Sequence, residues 1–76
     1  MATVKTIDAQ TIGERLRALR GSRTQKEVGD AIGVTAMAIS FYERGERVPR
    51  DEIKIKLAKF YNRSVSYIFF YILSKL

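Results

Sequence analysis

The sequence predicts an all-α domain of five helices, and three observations support this fold class. Apolar residues recur at spacings of three and four, which is the period of a helix with one buried face. Residue types that begin helices alternate along the chain with Gly and Asn, which end them. The apolar residues show no strand-like alternation, and the 76 residues suffice for one small core.

The first helix is predicted from about Ile12 to Arg20. Thr11 and Glu14 have the spacing of a capping box, in which each side chain accepts a hydrogen bond from the other residue's backbone N–H group. Three apolar residues at helical spacing form its inner face: Ile12, Leu16 and Leu19. Residues 1–10 lack an apolar run, so we expect a partly ordered N-terminal tail before a domain of residues 11–76.

Two short helices joined by a tight turn follow. Thr24 and Glu27 form a second capping box. Gly33 can adopt the left-handed conformation that ends a helix, and Thr35 can cap the next one. The inward residues of this pair of helices are Val28, Ala31, Ile32, Ile39 and Tyr42. Helices two and three therefore form a helix-turn-helix, a motif whose second helix can enter the major groove of DNA.

The fourth helix is predicted from about Asp51 to Tyr61, after Pro49. Asn62 can end this helix in the left-handed conformation, and Ser64 can cap a fifth helix. The inner residues of helix four are Ile53, Leu57, Phe60 and Tyr61, and the fifth helix contains Val65, Ile68, Phe69, Ile72 and Leu73.

The fifth helix carries seven consecutive apolar or aromatic residues, from Tyr67 to Leu73. This run is too short to cross a bilayer, which needs ~20 residues. A helix that is apolar on every side needs a second surface to cover it. We therefore predict a homodimer or partner interface formed by Tyr67, Phe70, Tyr71 and Leu73.

The composition argues against an enzyme or a metal protein. The chain has no Cys and no His, which removes most metal sites and the commonest general base. Its acidic residues form no pair in apolar surroundings, and we expect no cofactor. Fourteen basic residues against eight acidic ones give a net charge of +6, which by itself fits a polyanionic partner and a merely basic soluble protein equally well. Beside the helix-turn-helix pattern, it favours nucleic acid.

The helix-turn-helix residues resemble the Cro/repressor-type (XRE) family, and the resemblance covers roughly residues 11–70. The matching residues are Thr24, Gln25, Gly29, Gly33, Val34, Thr35, Ile39, Ser40, Tyr42, Glu43 and Gly45. The resemblance implies a compact, lambda-repressor-like fold and double-stranded DNA as the partner. It also implies that Arg20 and Glu43 form a structural pair rather than a contact to DNA.

The resemblance implies a DNA contact for Gln25, whose amide would hold a phosphate and brace the recognition helix. It implies phosphate contacts for Arg44, Arg47 and Arg50 as well. The alternatives are an ordinary polar helix start and a solvated run of charge. The predicted DNA-binding residues are Thr24, Gln25, Thr35, Ala36, Met37, Ser40, Phe41, Arg44, Arg47 and Arg50.

The outward positions of the recognition helix depart from this family. The bidentate contacts that specify G or A need Arg, Lys, Asn or Gln, and none of these precedes Arg44 in the helix. Either Ala36, Met37 and Phe41 read thymine methyl groups, or this face binds another protein.

The expected function is a phage-type, sequence-specific transcriptional regulator in the bacterial cytoplasm and nucleoid, with no membrane association. It would act as a homodimeric repressor by promoter occlusion. One alternative is a modulator or antirepressor that inactivates another phage regulator through the apolar recognition-helix face or the C-terminal helix. Another is the antitoxin of a toxin–antitoxin pair.

Overall fold

The computed structural model describes the backbone of residues 2–74 and the side chains of residues 7–70. It contains the five predicted helices in the predicted order. They are α1 (Ala9–Arg20), α2 (Gln25–Ile32), α3 (Ala36–Glu43), α4 (Asp51–Tyr61) and α5 (Val65–Phe69), and two strands, β1 (Ala2–Thr6) and β2 (Phe70–Ser74), add to them. Within these residues, none of the helices is long and apolar enough to cross a membrane.

The first helix begins earlier than the sequence predicted. The carboxylate of Asp8 accepts a hydrogen bond from the backbone N–H of Thr11 at 2.8 Å, so Asp8 is the N-cap and Thr11 lies inside the helix. The predicted capping box of Thr11 and Glu14 is therefore wrong. Asp is as good an N-cap as Thr, and the earlier of two competent residues lengthens the helix by a turn.

The C-terminal segment also differs from the prediction. The fifth helix ends at Phe69, and residues 70–74 form β2, so the prediction of a helix that includes Ile72 and Leu73 is wrong. Strand β2 pairs antiparallel with β1, which occupies half of the predicted ten-residue N-terminal tail. The guanidinium of Arg15 in α1 donates to the carbonyl oxygens of Tyr67 at 2.6 Å and Phe70 at 3.4 Å. A basic side chain that binds these last carbonyls stabilises the helix end at this point.

One apolar core joins the five helices. Its buried residues come from every helix: Ile12, Leu16, Val28, Ile32, Ile39, Tyr42, Ile53, Leu57, Ala58, Tyr61, Ile68 and Phe69. Leu19 and Phe60, predicted to be inner residues, are only partly buried at its edge, and Ala31 is exposed. The apolar periodicity therefore identified most of the core.

Local side-chain caps build the helix-turn-helix as predicted. The hydroxyl of Thr24 accepts from the N–H of Glu27, and the Glu27 carboxylate accepts from the N–H of Thr24. The hydroxyl of Thr35 caps α3 by accepting from Ala38. Gly33 lies at φ 82°, a left-handed conformation that Gly adopts without steric cost, and this residue turns the chain from α2 into α3.

Two glycines allow the helices to approach each other by their backbones. A Cβ atom on Gly13 would overlap the carbonyl oxygen of Glu43, where α1 meets the end of α3. A Cβ atom on Gly29 would lie 2.6 Å from the carbonyl oxygen of Val34 in the turn. Both contacts are with backbone atoms, which cannot move aside as a side-chain end can.

We therefore expect Gly13→Ala to destabilise the domain by about 2 kcal/mol, because α1 and α3 must separate. In an ordinary helix the same change would stabilise by about 1 kcal/mol. Urea unfolding followed by circular dichroism measures the difference. Ala18→Gly, an exposed position of the same helix, is the control and should cost only its backbone entropy. A Gly13→Ala variant as stable as the wild type would contradict the close contact.

Candidate nucleic-acid interface

The carboxylate of Glu43, at the end of the recognition helix α3, is hydrogen-bonded to side chains of α1 and α2. Arg20 of α1 donates from Nε to Oε2 at 2.7 Å and from Nη2 to Oε1 at 3.0 Å. Glu43 is 8% exposed. The hydrogen bond to Glu43 raises the pKa of Arg20 above its ordinary value. Arg20 and Glu43 therefore form a bidentate ion pair that joins the end of α1 to the end of α3.

Gln25 of α2 completes this arrangement. Its side-chain Nε2 donates to Oε1 of Glu43 at 3.1 Å, so one carboxylate joins α1, α2 and α3. We call these three residues, Arg20, Gln25 and Glu43, the Glu43 network. An amide nitrogen carries two N–H groups, and the second remains chemically able to donate to a phosphate. The Glu43 carboxylate therefore contacts Arg20 and Gln25 at the end of α3.

The outward side of α3 forms a continuous surface, which we call the recognition face: Ala36, Met37, Ser40 and Phe41. Met37 is 65% exposed, and the other three are half-buried. Ile39 and Tyr42 point into the core, as predicted. Thr24 and Thr35, the two N-caps, are exposed near the starts of α2 and α3. The face offers methyl, thioether and aromatic groups with a single hydroxyl, and no group that could make a bidentate contact to a purine.

Three exposed arginines lie in residues 44–50, which connect α3 to α4 and which we call the arginine loop. Arg44 forms a salt bridge with Glu46 at 3.2 Å, and Arg50 forms one with Glu52 at 3.4 Å. Arg47 has no carboxylate within salt-bridge distance among residues 7–70. The loop therefore presents positive charge beside the recognition face, and two of its three arginines already have acidic neighbours.

A second apolar surface lies around α4 and α5. Tyr67 is 54% exposed and Phe70 is half-buried, whereas the side chains of Tyr71 and Leu73 lie outside the described residues. The structure adds Ile55, which is 52% exposed, and Val65, and a groove runs between these two residues and Phe70. We call Ile55, Val65, Tyr67 and Phe70 the C-terminal face. The sequence analysis missed Ile55, although its place outside the buried stripe of α4 was a usable signal.

Comparison with known proteins agrees with this geometry. The family model described as Helix-turn-helix matches residues 14–68, which is most of the chain. The chain belongs to the Cro/repressor-type (XRE) helix-turn-helix family. This family consists of DNA-binding regulators and not of enzymes.

Two solved structures are similar to this XRE-family chain. One is the P22 c2 repressor in complex with a synthetic operator, with 38% identity, a TM-score of 0.75, and coverage of 78% of this chain and 92% of that one. The other is the solution structure of the P22 c2 repressor DNA-binding domain, with 36% identity, a TM-score of 0.73, and coverage of 82% and 84%. No curated protein sequence matches significantly.

Because Glu43 is buried, the contribution of the Glu43 network can be measured from the free energy of unfolding of variants. We expect Glu43→Gln to cost about 2–3 kcal/mol, because the charge opposite the partly buried Arg20 is lost while the shape is kept. Glu46→Gln removes an exposed ion pair and should cost at most about 1 kcal/mol. Chemical denaturation of both variants measures the contrast, and equal losses would show that the network contributes no more than a surface pair.

Proposed function

We propose that this protein is a sequence-specific DNA-binding repressor that inserts α3 into the major groove of an operator. The observation that carries the proposal is the outward recognition face, whose helix is attached to α1 and α2 by the Glu43 network and is followed by the arginine loop. A helix held in this way can meet base edges while neighbouring cations bind phosphates. The P22 c2 repressor, 38% identical to this chain, has been solved with a synthetic operator, which supports the same class of partner.

The chemistry of the recognition face favours apolar readout. Met37 and Phe41 lie one helical turn apart and present a thioether and a ring, which suit the C5-methyl group of thymine. The hydroxyls of Thr24, Thr35 and Ser40 suit phosphate or base contacts. Gln25 and the arginine loop would bind the backbone, which positions the protein without reading sequence.

We further propose that the protein acts as a homodimer and represses by occluding a promoter. The C-terminal face leaves Ile55 of α4 and Tyr67 of α5 exposed, and β2 begins directly after α5. A two-stranded sheet has an unpaired edge on each strand, and such an edge can pair with a second copy. A two-fold pair of recognition helices would then match two operator half-sites one helical turn apart.

A protein-binding function on the same fold is the second candidate. The 65% exposure of Met37 favours it, because flexible thioethers are common at adaptable protein interfaces. In this case the recognition face or the C-terminal face would dock another regulator and inactivate it.

If the recognition face reads thymine methyl groups, removing those groups from the operator should weaken DNA binding. An operator is first selected from a random duplex library, and uracil then replaces thymine at the protected positions. We expect a loss of about 1 kcal/mol or more for each contacted methyl group. Uracil outside the protected region is the control and should have no effect. Gel shifts at two salt concentrations measure both, and full affinity for the all-uracil site would contradict apolar readout.

A double substitution separates the two candidate functions. Met37→Lys with Phe41→Lys should abolish selection of the operator if the face reads DNA. If the face binds protein, the same variant should lose a partner complex while its non-specific DNA affinity stays equal or rises from the added charge. A variant that keeps both the specific gel shift and every partner in a pull-down would contradict both functions.

If the C-terminal segment forms the homodimer interface, acidic substitutions there should prevent dimerisation. Phe70→Asp with Tyr71→Asp should leave the domain helical but monomeric, because a buried carboxylate without a partner is costly. Ala18→Asp, on the exposed side of α1, is the control and should stay dimeric. Sedimentation velocity at roughly tens of micromolar measures this. A wild-type chain that is monomeric at this concentration would contradict the homodimer.

A further inference from the structure

The arginine loop folds back against the end of the recognition helix. The backbone N–H of Gly45 donates to the carbonyl of Tyr42 at 3.2 Å, and that of Glu46 donates to the carbonyl of Phe41 at 2.9 Å. These bonds reverse the chain immediately after α3. The side chains that follow the helix are thus returned to the side of α3 that carries Phe41.

Two guanidinium groups lie over the ring of Phe41 as a result. The Cζ atom of Arg44 is 5.3 Å from the ring centroid, and that of Arg47 is 5.0 Å away. Both distances are within the range of a cation–π contact. Arg44 also forms a salt bridge with Glu46. Within the described residues, Arg47 contacts the Phe41 ring and forms no salt bridge. A half-buried aromatic side chain on the recognition face therefore fixes two cations at its margin.

We propose that Phe41 is a positioning residue that holds Arg44 and Arg47 in place to bind the phosphate backbone. This inference rests on the proposed DNA-binding function and deepens it. A free arginine loses much rotamer freedom when it binds a phosphate. An arginine already held against a ring has lost part of this freedom beforehand, so the contact forms at a smaller entropic cost. The planar guanidinium can lie on a ring and keep its N–H donors directed outward in its own plane.

The Phe41 side chain could contribute to DNA binding in two ways. As a reader of thymine methyl groups, Phe41 would affect only sequences that carry thymine at the right positions. As a positioning residue, it affects binding to every duplex, and it does so only while the two arginines are present. Random-sequence duplex therefore isolates the positioning role, because it offers no selected base contact.

The test is a double-mutant cycle on random-sequence duplex DNA at fixed low salt. We expect Phe41→Leu to weaken binding about three- to tenfold, because both arginine side chains would then have to be ordered when they bind the phosphates. In the Arg44→Ala, Arg47→Ala background, Phe41→Leu should change affinity less than about twofold. Phe41→Tyr keeps the ring and should keep the affinity. Met37→Leu is the matched control, because it alters an apolar side chain of the same face.

A spectroscopic measurement checks the geometry without DNA. Ring currents from Phe41 should shift the δ-protons of Arg44 and Arg47 upfield, and Phe41→Leu should remove these shifts while the circular dichroism stays helical. Equal weakening by Phe41→Leu in both backgrounds, unchanged or tighter binding by that variant, or the absence of these ring-current shifts would overturn the positioning role alone. A wild-type protein without salt-dependent duplex binding would overturn the proposed function and this inference with it.

Discussion

The buried carboxylate of Glu43 is the interaction on which the rest of the helix-turn-helix depends. It accepts hydrogen bonds from Arg20 and Gln25, and the three residues come from three different helices. A charge in this position is stable only when its partners remain in place, since an unpaired buried carboxylate is costly. The pair fixes where α3 ends relative to α1, and Gln25 fixes the start of α2 against the same point. The orientation of the recognition face depends on these bonds together with the burial of Ile39 and Tyr42 in the core.

This arrangement requires close contact between helix backbones, which any side chain larger than that of glycine would prevent at two positions. Gly13 lets α1 lie against the carbonyl of Glu43, and Gly29 lets α2 lie against the turn that follows it. Apolar packing then closes around the contacts through residues such as Ile12 and Ile39, which are almost fully buried. The outward side of α3 contributes no residue to the buried core. Its apolar composition is therefore compatible with a well-defined fold, and it is available to select a partner.

The net charge overstates how many arginines of the loop are free of acidic neighbours. Acidic neighbours accompany Arg44 and Arg50, and an exposed pair gains little energy in water. A phosphate can replace the carboxylate at either arginine. The net gain in binding free energy is then smaller than at an arginine without an acidic neighbour, because the existing ion pair is lost. Arg47 is the arginine of this loop without such a neighbour within the described residues. In the proposed DNA complex, the cations around Phe41 would therefore matter more than the excess of basic residues over the whole chain.

The sequence by itself determined the elements whose signals are local. The caps at Thr24 and Thr35 and the left-handed residues Gly33 and Asn62 act within three or four positions, so their pattern predicts the helices that they limit. Apolar periodicity likewise identified most of the core and the outward face of α3. The start of α1 was missed because Asp8 and Thr11 are both competent caps, and local preference does not choose between them.

Only the tertiary structure decided the features that join distant parts of the chain. The last apolar run is intrinsically compatible with a helix or a strand, and its pairing with the N-terminal segment, together with Arg15, made it a strand after Phe69. The family resemblance implied the pairing of Arg20 with Glu43, 23 positions away, but only the structure showed that Gln25, 18 positions away, donates to the same carboxylate. The contacts of Arg44 and Arg47 with Phe41 follow from a reversal of the loop. Such contacts depend on where elements meet in space, and residue spacing along the chain does not encode that directly.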